Sequence, residues 1–283
     1  MTIMRVAAVD EFGPVENLRP RTMPVREPGP GEALIRVTAA AVNPADLGMC
    51  EGRYRWREPV RFPLVPGYDV AGVVEVGAPG WPVGTAVIAA TAHSRTQAGG
   101  YAEYVTLPTE YLAPAPAGLD PAHAAAIPLA GLTAARALAA LNLAPGRTLL
   151  VNGPHGSVGG FAVQLAEAAG VEVRPSGPVD GVLDVIGGAA AVAAFAAVRD
   201  GGRYATVVPE FWVAGGVFAP ARGIEPVSVL VEPDGLRLAE LSRLADAGVL
   251  RPRVARVLPL AEAAEAHRLL AAGGLRGKVI LKP

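Results

Sequence analysis

Apolar and polar positions alternate in short runs over the first hundred residues, and at helical spacing afterwards. Val- and Ala-rich segments at residues 5–9, 32–41, 70–76 and 85–89 stand between Pro/Gly turns such as Pro28-Gly29-Pro30-Gly31 and Val65-Pro66-Gly67. That pattern predicts short strands, and residues 100–105 continue it. Irregular strands so spaced suggest a small, antiparallel, barrel-like domain. After Pro116 the texture changes. Asp120-Pro121 reads as a helix cap followed by proline at the first helical position, and residues 131–142 read as an amphipathic helix. An apolar strand at 148–153 runs into a glycine loop and a helix at 158–169. Strands at 181–186, 203–208 and 227–231 then alternate with helices at 189–198 and 236–247. Such alternation predicts a mostly parallel sheet covered by helices, so the chain is α/β. The tail adds a helix at 260–270 and a strand at 277–281.

Composition narrows the classes. The chain has 283 residues, 51% hydrophobic and 18% charged, which suits a soluble enzyme of one large or two smaller domains. A net charge of -1 with no basic block argues against nucleic-acid partners and electrostatic membrane anchoring. The longest apolar stretch, 124–144, is broken by Pro128, Gly131 and Arg136, a poor membrane span. The first residues run straight into a strand pattern without a signal peptide, so a cytoplasmic location is expected. A single cysteine, Cys50, leaves no internal disulfide and no Cys-cluster zinc site.

The chemistry-bearing segment is Val151-Asn152-Gly153-Pro154-His155-Gly156-Ser157-Val158-Gly159-Gly160. Glycines at 153, 156 and 159 between an apolar strand and a helix are spaced for a dinucleotide pyrophosphate. The first permits the turn, the second lets backbone approach phosphate, and the third lets helix and strand pack. A turn kept only for packing gives the same pattern, and that alternative stays open here.

Further motifs bring a resemblance. Ala41-Val42-Asn43-Pro44-Ala45-Asp46, Pro66-Gly67-Tyr68-Asp69-Val70-Ala71-Gly72-Val73-Val74, Gly99-Gly100-Tyr101-Ala102-Glu103-Tyr104 and Pro128-Leu129-Ala130-Gly131-Leu132-Thr133-Ala134 fall in order, with Pro259-Leu260, Ala266-His267 and Gly277-Lys278-Val279 closing the series. Together they resemble the zinc-independent medium-chain dehydrogenase/reductases of the quinone oxidoreductase and enoyl reductase type. The resemblance implies a GroES-like β-barrel-type domain, residues 1–118 with 252–283. It also implies a Rossmann domain, a doubly wound parallel sheet, at 119–251, with the active site in the cleft between the two. Zinc-using relatives carry Cys near Asn43 and Gly-His-Glu in place of Gly67-Tyr68-Asp69. Cys50, His93 and His123 show no ligand spacing, so no metal is expected.

By that resemblance Asn43 would hold the nicotinamide side and Tyr54 would hydrogen-bond a substrate carbonyl. Thr133 would approach the cofactor from its helix, and Asn152, Gly153, Gly156, Ser157, Val158 and Gly159 would take the pyrophosphate. Lys278 would reach the ribose. An exposed loop is an equal reading for Tyr54, and a structural role, fixing the Asn43 loop, is the leading one for Asp46. Arg174 and Ser176 lean toward NADPH over NADH, since Glu172 lies early in its strand. A homodimer through edge strands near 227–231 is also implied.

One departure stands out. Residues 177–187 resemble the family's fourth Rossmann strand, although they directly follow the second. About one βαβ unit of some thirty residues is missing, so the Rossmann domain is shortened. Seven residues, 174–180, reach at most about 25 Å. A return across the first strand is feasible only if the strand at 171–173 is very short. Pro154, His155 and Pro209 also replace residues usual in this family. Two functions therefore stand: an NADPH-dependent, metal-free reductase of small quinones or α,β-unsaturated carbonyls, or a relative that has lost the cofactor. The second would perform an isomerase, dehydratase or cyclase step, or bind a ligand. Phe211, Trp212 and Phe218 would line a pocket or a subunit contact.

Overall fold

The computed structural model describes residues 2–53, 59–92, 96–208 and 218–283. Tyr54, His93, Pro209, Phe211 and Trp212 lie outside them. The chain divides into two compact units. The first is Met1–Leu129 with Glu232–Ala247 and Pro252–Pro283, and the second is Ala130–Val231 with Gly248–Arg251.

The first unit begins with β1 (Ile3–Ala8) and β2 (Arg19–Pro24), an antiparallel pair. Prolines at both ends of the register are tolerated because β2 is an edge strand. β3 (Glu32–Ala41) then leads into α1 (Pro44–Cys50), followed by β4 (Asp69–Val76), β5 (Ala86–Ala90), β6 (Tyr104–Pro108) and β7 (Leu112–Pro114). α2 (Pro121–Ala125) starts where Asp120 accepts the Ala122 and His123 N–H groups. α3 (Pro128–Leu141) begins at the proline of the fourth motif.

The second unit follows as β8 (Thr148–Asn152), α4 (Ser157–Ala168), β9 (Glu172–Val173), β10 (Val179–Asp184), α5 (Gly188–Ala196), β11 (Val198–Thr206) and β12 (Pro226–Ser228). Its five strands run parallel in the order β12-β11-β10-β8-β9. A complete doubly wound sheet has strand order 3-2-1-4-5-6. Here the third strand is replaced by residues 174–178, which pass directly from one side of β8 to the other.

Register explains how so short a passage succeeds. β9 pairs only with the start of β8, Glu172 opposite Thr148 and Val173 opposite Leu149, while Gly181 of β10 is also opposite Leu149. The passage therefore spans about two strand spacings, near 10 Å, with little travel along the strands. Six Cα steps reach about 20 Å. Asp180 secures the landing. Its carboxylate accepts the Thr148 N–H and hydroxyl at 2.8 Å each, and its N–H donates to the same hydroxyl at 2.9 Å.

The chain returns to the first unit with α6 (Gly235–Asp246), β13 (Val254–Pro259), α7 (Ala263–Ala272) and β14 (Lys278–Lys282). The helix α6 falls in the first unit. It packs on β7, where Ser242 Oγ donates to the Pro114 carbonyl at 2.7 Å and Asp246 accepts the Gly118 N–H at 3.0 Å. The large sheet runs β13-β14-β3-β4-β5-β7, with β6 also on β3. Among the described residues this path does not close, so the barrel expected from sequence is an open, curled sheet. Its core is Ile35, Leu64, Val70, Ile88, Tyr101 and Ile280, each fully buried. In the second unit Phe218 stacks on Phe195, centroids 4.5 Å apart, and meets Tyr204 edge-on. Phe218 is half-buried there and packs against this cluster.

Candidate functional site

In the second unit the strand β8 ends in a turn that delivers α4. Gly153 has φ +98°, a left-handed conformation that side chains rarely adopt. A Cβ on Gly159 would lie 2.0 Å from the Gly153 carbonyl oxygen, so strand and helix touch there without space for a methyl. Gly156 differs. Its backbone is extended, and a Cβ would meet only the Gly153 carbonyl at 3.7 Å, ordinary contact. Packing within the protein therefore explains Gly153 and Gly159 and does not explain Gly156. α4 also has no side-chain cap, so the N–H groups of Ser157, Val158 and Gly159 lack the partners a helix interior provides. An uncapped first turn with the positive end of a twelve-residue dipole behind it attracts a phosphate. The segment fits a pyrophosphate.

Beside it, Asp184 ends β10 fully buried. Its carboxylate accepts Asn152 Nδ2 at 2.7 Å, the N–H groups of Ile186 and Gly187 at 3.2 and 3.1 Å, and Thr206 Oγ1 at 3.0 Å. The side chain of Asn152 is thus an anchor between neighbouring strands. Sequence reading missed Asp184, although an acid closing an apolar strand before Gly187-Gly188 was visible. Tyr204 is buried nearby, its hydroxyl on the side of Asp184. Burial, and after it Asp184, pushes its phenol well up. Thr133 lies buried on α3.

Among the described residues no hydrogen bond joins Arg174 or Ser176 to the glycine loop. Arg174 follows β9 directly, its N–H on the Leu149 carbonyl, and its guanidinium holds Glu172 at 2.9 and 3.0 Å. Ser176 sits exposed on the passage that turns back toward the start of β10. The early end of β9 takes both away from the carboxyl end of the sheet.

The first unit holds a buried polar network that sequence did not anticipate. Lys278, on β14, is 5% exposed and donates to Asp69 Oδ2 at 2.8 Å and to Asn43 Oδ1. Asn43 Nδ2 donates to Asp69 Oδ2 at 2.8 Å, and Asp69 Oδ1 accepts the Leu129 N–H at 2.6 Å, capping α3. Asp46 accepts the Asn43 N–H at 2.8 Å and the Gly67 and Tyr68 N–H groups at 3.1 and 3.2 Å. Burial pushes its carboxyl up to about 7, against the pull of the Asn43 N–H. The Asn43 and Lys278 side chains thereby have protein partners in the network. Asp46 fixes the loop that carries Asn43.

Tyr101 extends the network. Its hydroxyl donates to Asp46 Oδ2 at 3.3 Å and lies 3.2 Å from His267 Nε2. With that hydroxyl proton already given to Asp46, the His267 proton belongs on Nε2, donated to the Tyr101 oxygen. Burial pulls His267 down to about 4, so it is neutral. Among the described residues no group of three or more His, Cys, Asp and Glu could hold a metal ion, and no helix is long and apolar enough to cross a membrane.

Comparisons agree with this architecture. Residues 29–117 match the family described as alcohol dehydrogenase GroES-like domain, and residues 162–281 match the family described as zinc-binding dehydrogenase. The chain is 38% identical over 176 residues to quinone oxidoreductase of Pongo abelii, covering 60% of this chain and 52% of that protein. It is 34% identical over 172 residues to the chloroplastic NADPH-dependent alkenal/one oxidoreductase of Arabidopsis thaliana, 58% of this chain and 44% of that protein. The chain spans about half the length of the curated relatives it matches. The solved quinone oxidoreductase of Coxiella burnetii is similar over 100% of both chains, with a TM-score of 0.88 and 26% identity.

Two outcomes test the buried network. Lys278→Met strands the Asp69 carboxylate and should cost about 3–5 kcal/mol in urea unfolding, while Lys278→Met with Asp69→Asn restores most of it; equal costs for single and double variants would dismiss the pair. The second concerns pH. An unfolded histidine binds its proton below about 6.5 and the folded one only below about 4, so stability falls as pH drops. From pH 7 to pH 5 that loss is about 2 kcal/mol, and His267→Gln should be spared it. Asp46 works in the opposite sense over its own range, stability falling as pH rises toward 7, in both proteins. Parallel pH curves would show that His267 titrates normally.

Proposed function

We propose that this chain, a member of the medium-chain dehydrogenase/reductase superfamily in its quinone oxidoreductase-like branch, is a nicotinamide-dependent reductase of small quinones or α,β-unsaturated carbonyls. The observation that carries this is Gly156. It sits in front of an uncapped helix where no protein contact calls for glycine, and a phosphate does. Gly153, Gly156, Ser157, Val158 and Gly159 would hold the pyrophosphate, with Asn152 and Asp184 fixing the strand ends beneath them. NADPH, named for the Arabidopsis relative, would supply the hydride when bound. Preorganised N–H donors cost nothing to align at the moment of binding, which is what such a loop contributes.

Thr133 is proposed to approach the cofactor from α3. Asn43 acts as a positioning residue through Asp69 and Lys278, and Tyr54 keeps its proposed role toward the substrate carbonyl. The cofactor-free alternative, an isomerase, dehydratase or cyclase, drew its support from the missing Rossmann unit. The intact strand–turn–helix at residues 148–168 favours the reductase. A homodimer through the outer edge of β12 belongs to the same proposal, with Val227 41% and Leu230 62% exposed there; a monomer in light scattering would remove it.

The test is nicotinamide fluorescence on titrating NADPH, followed by turnover with a benzoquinone and a 2-alkenal. Gly156→Val should weaken binding at least about tenfold while lowering stability by no more than about 1 kcal/mol. Unchanged affinity in that variant, or no binding by the native protein at millimolar NADPH, would end the reading.

A further inference from the structure

The passage at residues 174–178 bears on which part of the coenzyme the protein recognises. In a doubly wound sheet the second strand runs alongside the first to its carboxyl end, and the adenosine ribose is read where that strand stops. Here Thr148 is opposite Glu172 and Leu149 opposite Val173. Continued in that register, Ser176 would stand opposite Asn152 and Gly177 opposite Gly153, level with the glycine loop. The strand stops first. Arg174 makes the last bond of the ladder, to the Leu149 carbonyl; the next donor in that alternation, Ser176, makes none to β8. By Val179 the chain is on the far side of β8, its N–H on the Ala197 carbonyl.

What remains at the adenosine position has no recognition chemistry left over. Arg174 is the one cation of the segment 171–178, and Glu172 occupies its guanidinium through both carboxylate oxygens. Pro175, Ser176, Gly177 and Pro178 are exposed, and a Cβ on Gly177 would meet nothing within 4 Å. The glycine loop lies three to four residues further along β8, so among the described residues donors stand ready at the pyrophosphate end and segment 174–178 brings none to the adenosine end.

We propose that the protein recognises the nicotinamide–ribose–phosphate half of its coenzyme and leaves the adenosine half unread. NADH, NADPH and reduced nicotinamide mononucleotide are then interchangeable hydride donors. This rests on the reductase reading and departs from the NADPH preference drawn from Arg174 and Ser176. It assigns the choice of donor to the glycine loop alone. A 2′-phosphate gains no bond and meets no repulsion, because the segment that would face it leaves the side of β8 before it reaches the level of the glycine loop.

Dissociation constants for the three reduced compounds decide it, measured by fluorescence or calorimetry on the full chain without substrate. NADH and NADPH should agree within about threefold, and the mononucleotide should bind within about tenfold of either. Adenosine 2′-monophosphate at millimolar concentration should not displace bound NADPH. Glu172→Ala frees the guanidinium and should leave the NADPH-to-NADH ratio within the same threefold or so. A preference for NADPH above about tenfold, in the native protein or in that variant, would overturn the proposal. So would NADPH binding that the mononucleotide cannot reproduce, an outcome that leaves the reductase reading intact. Failure of all three to bind removes that reading and this inference together.

Discussion

The contact between Gly159 and the Gly153 carbonyl oxygen fixes where everything at the carboxyl end of the parallel sheet can lie. A strand that turns straight into a helix at such close range must present the first helical turn at the strand's end. Any capping side chain would occupy the space in front of that turn, and none does. The helix therefore begins with unsatisfied donors aimed along its own dipole. Asp184 then draws β8, β10 and β11 together just below, through Asn152 and Thr206. Rigidity beneath an electropositive opening is what anion binding at low entropic cost requires.

The first unit solves a different problem. Its last strand must find the strand β3, more than two hundred residues earlier in the chain, and apolar packing alone does not specify one register. The buried ammonium of Lys278 does, because it is stable only where Asp69 and Asn43 meet it. The same Asp69 receives the first N–H of α3, and Asp46 gathers the loop at Gly67 and Tyr68. A handful of polar side chains thus ties together the segments that motif matching picks out separately.

Much of this was legible in the sequence, for identifiable reasons. Strands β3, β4, β8 and β10 and helices α3 to α6 show strong periodicity or stand beside clear turn residues. Their existence followed from pattern, with ends shifted by a few residues. The strands β2 and β13 did not show, because Arg19-Pro20-Arg21 and Arg253-Val254-Ala255-Arg256 put charges and prolines into strands with mostly exposed faces. The short crossing at 174–178 was legible as a geometric demand, and the two-residue β9 meets it. Roles were harder to read than elements. Lys278, Asn43 and Arg174 are polar residues at motif or linker positions, and sequence could not tell that two point into a network and the third onto its neighbour. Partners of a polar side chain are a tertiary property. Tyr54 remains known from sequence alone.

The same economy that shortens the sheet concentrates cofactor recognition at one point, the opening between Gly153 and Gly159. A crystal structure of the chain with NADPH interrogates that point directly. The account predicts phosphate oxygens within hydrogen-bond distance of the Ser157, Val158 or Gly159 N–H groups, and an adenosine without protein partners. Phosphates bound elsewhere, or residues 174–178 folded into the space before Gly156, would contradict it.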